Sequence, residues 1–259
     1  MIDLRKLIRR YRSTLSSLAL VFAVILILWT VNSPAIVGAS ATQRLLPIYS
    51  VQREEKIVAI SFDAAWGNED TQQLIDILRE RGLTATFFVV GDWVDRYPES
   101  VKALAAAGNE VMNHSLSHAH FSTLREDEIV ADVSACNEKI RALTGKTPTL
   151  FRCPYGEYDD HVIQAVSSLG MTAIQWDVDS LDWKGISAQE IQKRVLRSIR
   201  PGSIVLFHNA AEHTPEALPG ILDALLADGY TVVPVSQILL EGSYTIDHTG
   251  RQHGQERDL

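Results

Sequence analysis

Ile57-Val58-Ala59-Ile60-Ser61-Phe62-Asp63-Ala64-Ala65-Trp66-Gly67 decides how the rest of the chain is read. Its first six residues are mostly apolar, with β-branched Ile57, Val58 and Ile60 among them, which is the composition of a buried strand. The run ends on a carboxylate, Asp63, and then on a small-residue turn closing at Gly67. A buried charge is costly unless it is paired or ligated, so an acid at the mouth of an apolar strand needs a reason.

The same pattern returns downstream. Strand-length apolar runs lie at 57–62, 84–90, 110–113, 149–151, 172–178, 203–207 and 231–235, separated by segments of helical period. Helix boundaries are marked by Asn68 and Gly82, by Pro98 and Gly108, and by the capping boxes Thr123-x-x-Glu126 and Ser187-x-x-Glu190. Thr214-Pro215 and Gly229 bound the last helix. Strict alternation implies a parallel sheet with helices outside it. No Gly-rich fingerprint follows the first strand, which weakens a dinucleotide-binding reading. The expected fold is therefore α/β, a distorted (β/α)7 barrel of parallel strands over residues 52–241, with 242–259 a loose polar tail whose His248 and His253 face solvent.

The beginning of the chain has a different character. Arg5, Lys6, Arg9, Arg10 and Arg12 make 1–12 a basic segment, expected in the cytoplasm, and 13–37 an apolar one. Length and an interfacial Trp29 fit a single-pass membrane anchor; a short apolar heart and the small residues Gly38 to Ala41 fit a cleaved export signal. Either way the basic end stays inside, 38–51 is a linker, and the catalytic domain lies outside the cytoplasm. The chain carries a net charge of −8, and residues 1–43 hold five basic side chains against one acid, so the remainder is more acidic still. That excludes nucleic acid as an expected partner. The chain is expected to act as a monomer. Two cysteines, Cys136 and Cys153, make neither a disulfide framework nor a metal knuckle.

In a parallel barrel the reactive side chains gather at the carboxyl ends of the strands. The expected strands deliver Asp63, then His114 with His118 four residues on, Arg152, the group Asp177, Asp179, Asp182 and Trp183, and His208. Two histidines at that spacing converge on a cation if the segment makes a helical turn, and with a carboxylate and an open position they are a hydrolytic zinc pattern. His208 is a candidate general acid, oriented by Asp177, Asp179 or Asp182. Arg152 is either an ion-pair partner holding the rim together or the group that keeps Asp63 ionised.

Ser61-Phe62-Asp63, His114-Ser115-Leu116-Ser117-His118, Arg152-Cys153-Pro154-Tyr155-Gly156, Asp179-Ser180-Leu181-Asp182-Trp183 and Leu206-Phe207-His208 occur in the order of the five motifs of the polysaccharide deacetylases, the NodB-homology domains of carbohydrate esterase family 4. The chain resembles that family over about 52–240. Its Asp-Ala-Ala-Trp-Gly variant and N-terminal segment look most like the sporulation-associated PdaB-like branch. The resemblance implies metal-dependent removal of acetyl groups from N-acetylated sugars (N-acetylglucosamine or N-acetylmuramic acid) of a cell-wall polysaccharide such as peptidoglycan. It implies Zn2+ or Co2+ on His114 and His118, Asp63 as base positioned by Arg152, and His208 as acid tuned by Asp182. It further implies the Tyr155 backbone N–H at the oxyanion and Trp183 with Leu206 around the acetyl group. One position departs: the family usually carries a second Asp after the base, as third ligand, and here it is Ala64. Water, one of Asn68, Glu69 and Asp70, or Asp63 itself would have to stand in. The alternative is an impaired member of the same fold that binds glycan or scaffolds the envelope.

Overall fold

The structure, a computed structural model, describes residues 4–31 and 44–255. Two compact units divide the chain after Arg44. The first holds one helix, Leu4–Val31, whose apolar side chains from Leu18 to Trp29 stand exposed. Among the described residues no helix is long and apolar enough to cross a membrane. The expected anchor 13–37 and linker 38–51 lie partly outside the described residues.

The second unit is the α/β fold expected. Its strands are β1 (Ser50–Val51), β2 (Ile57–Ala64), β3 (Thr86–Val89), β4 (Glu110–Asn113), β5 (Leu150–Phe151), β6 (Thr172–Ala173), β7 (Val178–Asp179), β8 (Ile204–His208), β9 (Thr231–Val233), β10 (Tyr244–Ile246) and β11 (Arg251–Gly254). The main sheet is parallel and runs β6-β5-β4-β3-β2-β8-β7, with β9 beside the start of β2. β2 is its centre because its side chains satisfy two layers at once. Val58, Ile60, Phe62 and Ala64 join the layer under the helices, against Leu74, Leu78, Leu218 and Ile221. Ala59 joins a second apolar cluster, with Phe88, Ile174 and Ile204. The period of two therefore gives Ser61 and Asp63 the same face as Ala59, opposite the helix layer. Phe62 stacks on Phe87 at 4.7 Å and lies 5.6 Å from Phe207, which ties β2 to both neighbours.

Three expectations are corrected. The run 172–178 is two strands, not one: β6 pairs with β5, and β7 pairs with β8 at the opposite end of the sheet. Between them Gln175 N donates to Ile48 O and Asp177 N to Ile204 O, so residues 174–177 link the two sheet edges through the chain itself, and the barrel is distorted there. The end of the expected linker belongs to the fold. Ile48 and Val51 are fully buried, and Val51 N donates to Gly202 O at 2.8 Å. Gly202 is required there, since a Cβ would come within 1.7 Å of Val51 O. Finally, 242–255 is no loose tail. β10 and β11 form an antiparallel pair that adds β1 in parallel. His253, only partly exposed, is held between Asp247 and Gln52, whereas His248 is exposed as expected.

Helix starts are partly as expected. Ser187 and Glu190 form a reciprocal box ahead of helix Ala188–Ser198. Asn68 and Thr123 do not cap: the helices begin after Asp70 and Arg125, and Thr123 Oγ1 donates to His120 O in a preceding turn. The Gly91–Arg96 helix, unforeseen, packs Trp93 into the core.

Candidate active site

Adjacent strands carry the key pair. Register places Asp63 of β2 beside His208 of β8. Asp63 is buried, and its Oδ1 accepts from Arg152 at 2.8 Å. Arg152, fully buried after β5, also donates to Ser61 Oγ and Gln175 O and lies 4.1 Å over the Phe88 ring. Burial alone would raise the Asp63 pKa, but Arg152, His114 and His208 together hold it below the usual carboxylate range.

His208 is controlled from behind. Its Nδ1 donates to Asp182 Oδ1 at 2.8 Å, and its backbone N–H to Asp182 Oδ2. Asp182 is buried and also accepts from Thr214 Oγ1 at 2.7 Å. Burial pushes the imidazole pKa down, yet the hydrogen bond and charge of Asp182, with Asp63 and Asp179, raise it overall. Of the three candidate orienting acids, Asp182 is therefore the one. Asp177 is occupied by Arg200, Ser203 and the Ile204 N–H, and Asp179 by the Leu181 N–H.

The two histidines do converge, although not on a helical turn. Ser115 and His118 both have left-handed backbone, φ 74° and 59°, and Ser115 Oγ accepts from His118 N–H. The rings sit 5.0 Å apart. His114 Nδ1 donates to the Arg152 carbonyl, which turns Nε2 toward Asp63 Oδ2, 3.5 Å away. Burial lowers the pKa of both imidazoles, that of His118 to about 4, which favours the neutral form that ligates metal.

This donor set fits a divalent cation one protein ligand short. Among the described residues no three His, Cys, Asp or Glu side chains form a complete cage. Ala64 is packed in the apolar layer below the helices. Of the stand-ins, Glu69 accepts from Asn68 N–H and Asp70 Oδ1 from Ala210 N–H, whereas Asp70 Oδ2 and Asn68 Oδ1 are buried without a hydrogen-bond partner. Asp63 Oδ2 lies 3.5 Å from His114 Nε2, so it serves either as a stand-in ligand or as a free base, not as both.

A cavity of about 510 Å³ opens beside these groups, lined by Trp66, His118, Tyr155, Trp176, Asp179, Trp183, Leu206 and His208. Trp183, Leu206 and Tyr155 are thus brought together on one cavity wall, and Tyr155 has φ 59°. Sequence reasoning missed Trp66, whose ring stacks 5.8 Å from His208, and Trp176, hidden in an expected strand. Thr214, read as a helix start, also escaped as a partner of Asp182. His120 is exposed, against Tyr155 and Glu157. Burial raises both thiols, Cys136 and Cys153, to about 12, so neither is a nucleophile.

Known proteins carry the same arrangement of chain. The polysaccharide deacetylase family model matches residues 50–174. The Bacillus subtilis protein YlxY is 31% identical over 195 residues, covering 75% of this chain; this chain spans 61% of its length. Peptidoglycan-N-acetylmuramic acid deacetylase PdaA of Bacillus subtilis is 30% identical over 198 residues, 74% of this chain and 75% of that protein. Among solved structures, wild-type BA3943 from Bacillus anthracis, a CE4 family pseudoenzyme, superposes with a TM-score of 0.72 at 35% identity, covering 74% of this chain and 68% of that one.

Proposed function

The chain belongs to the polysaccharide deacetylase family, and from that premise we propose that it hydrolyses acetamido groups on N-acetylated sugars of a cell-envelope polysaccharide, with peptidoglycan the first substrate to try. One observation carries this reading. Asp63 and His208 sit side by side, and their buried partners push their proton affinities apart, Arg152 lowering that of the acid and Asp182 raising that of the imidazole. Paired titratable groups tuned in opposite senses are how a site assigns a base and an acid.

His114 and His118 would hold the divalent cation, Zn2+ or Co2+, which when bound supplies Lewis acidity to the amide carbonyl and lowers the pKa of water. The chain's own residues do the rest. Asp63, with Oδ1 fixed by Arg152, takes the proton of the attacking water through Oδ2. The Tyr155 backbone N–H supports the carbonyl oxygen as charge develops there. Trp183 and Leu206 wall the acetyl methyl. His208 gives its Nε2 proton to the departing amine as the C–N bond breaks, and the water oxygen leaves in acetate. Acetate release from N-acetylated peptidoglycan fragments and chitooligosaccharides, with and without Zn2+ or Co2+, tests this; the expected result is release that depends on added metal.

Ala64 favours a second reading, a glycan-binding or scaffolding member with impaired hydrolysis. The similarity to a pseudoenzyme supports it. Metal-independent glycan binding without acetate release is its signature.

For location, we read the N-terminal helix as a membrane tether that holds a monomeric domain outside the cytoplasm. Basic residues 5–12 and the exposed side chains from Leu18 to Trp29 support this. Fractionation of the full chain against one lacking residues 1–43 tests it. A sporulation role follows the PdaB-like resemblance, and its test is deletion followed by spore cortex analysis.

A further inference from the structure

Outside the N-terminal helix, the exposed aromatic residues of the described chain are Trp66, Tyr155, Trp183 and Tyr244, and three of these line one cavity. Singly exposed aromatic rings are ordinary, but three gathered on one cavity mark a ligand-binding groove. Each of the three rings is also backed by a protein group. His208 lies on Trp66 with an interplanar angle of 19°, His120 stacks on Tyr155 at 4.3 Å, and Lys184 Nζ sits 4.9 Å from the centre of the Trp183 ring. Backed rings present an open face without further ordering cost, which is what a stacking platform for a flat, C–H-rich ligand face needs.

Trp66 is the unexplained member. It occupies the first βα loop, where every other side chain between Asp63 and Gly67 is an alanine. The loop is pinned under it. Gly67 O accepts from Trp93 Nε1 at 2.6 Å and from Asn209 Nδ2 at 2.9 Å. Gly67 has φ 57°, and a Cβ there would lie 2.3 Å from Ala210 Cβ. So the indole is held at a fixed height, one face on the His208 imidazole, its ring edge-on to His118 at 6.3 Å, and 46% exposed toward the cavity.

We propose that Trp66 is a specificity-determining residue, the platform for the sugar unit next to the one whose acetamido group is processed, so that the site takes β-linked N-acetylhexosamine oligomers in preference to a single sugar. This rests on the reading of the cleft as a glycan site but not on turnover.

The test is binding of N-acetylglucosamine and its dimer and tetramer, by titration calorimetry on the full chain stripped of metal, for the wild type, Trp66→Phe and Trp66→Ala. Melting curves establish that each variant is folded. The wild type is expected to bind the tetramer far better than the monomer. Trp66→Ala is expected to lose about tenfold on the tetramer with little change on the monomer, and Trp66→Phe most of the way back to wild type. Equal tetramer affinity in wild type and Trp66→Ala overturns the proposal, as does a wild type that binds all three sugars alike or none of them. Length-dependent binding lost in Trp66→Ala supports it even where no acetate is released, which would count against the hydrolase reading alone.

Discussion

Around Asp63, Arg152, Asp182 and His208, almost every polar atom has a partner; around His114 and His118, the chain stops one ligand short. The first region is expensive. Arg152 and Asp63 are both buried, and a buried ion pair of this kind seldom stabilises a fold more than well-packed apolar side chains would. Ser61, a second strand-centre polar residue, is recruited only to brace it. The second region is economical: one imidazole is aimed by a backbone carbonyl, the other by a tight left-handed loop, and the expected third ligand has been replaced by a methyl group in the helix-facing layer. On the proposed reading, the half that would move protons is the constrained one and the half that would hold a cation is the adjustable one.

Breaking the constrained half is expected to do the most damage. Arg152→Ala leaves Asp63 buried and unpaired, and urea unfolding should show a loss of about 3–5 kcal/mol. An unchanged midpoint would mean the pair is open to water. His208→Gln removes the proton donor and should lower acetate release about 10²–10⁴-fold with little change in unfolding midpoint. Asp182→Asn acts through pH. As a general acid His208 must be protonated, so activity falls as pH rises through its raised pKa; removing the Asp182 charge brings that pKa down and moves the alkaline limb of the rate profile to lower pH. A limb that stays in place would detach Asp182 from the chemistry.

The smallest effect belongs to the adjustable half. Ala64→Asp puts a carboxylate into an apolar layer and should cost about 1–3 kcal/mol without metal. Added Zn2+ should recover that loss, because binding to the folded state alone stabilises it. Destabilisation that Zn2+ does not touch would show that position 64 cannot reach the imidazoles in this fold.

What could be read from the sequence follows the same division. An apolar strand ending in an acid is visible because its period and its exception lie within a few residues, and β2 with Asp63 was legible for that reason. The strand-end polar residues were legible as a set, since a parallel barrel gathers its strand ends. Long-range pairing was not. Residues 172–178 look like one strand, and nothing local reports that Ile48 and Ile204 would draw the middle of the run in two directions. The terminal hairpin escaped because its stability comes from β1, some 200 residues away, through pairs such as Val51 with Gln252. Trp66 escaped because an indole in a small-residue turn carries no pattern; its meaning appears only once His208 lies beneath it.

We propose proton transfer by Asp63 and His208 beside a cation site reduced to two imidazoles. It is tested most directly by acetate release from N-acetylated peptidoglycan oligosaccharides as Zn2+ or Co2+ is titrated in, for the wild type and for His114→Ala. Release that climbs with metal in the wild type and stays flat in the variant is the predicted result. No release at any metal concentration, in a folded protein that still binds the oligosaccharide, would contradict it.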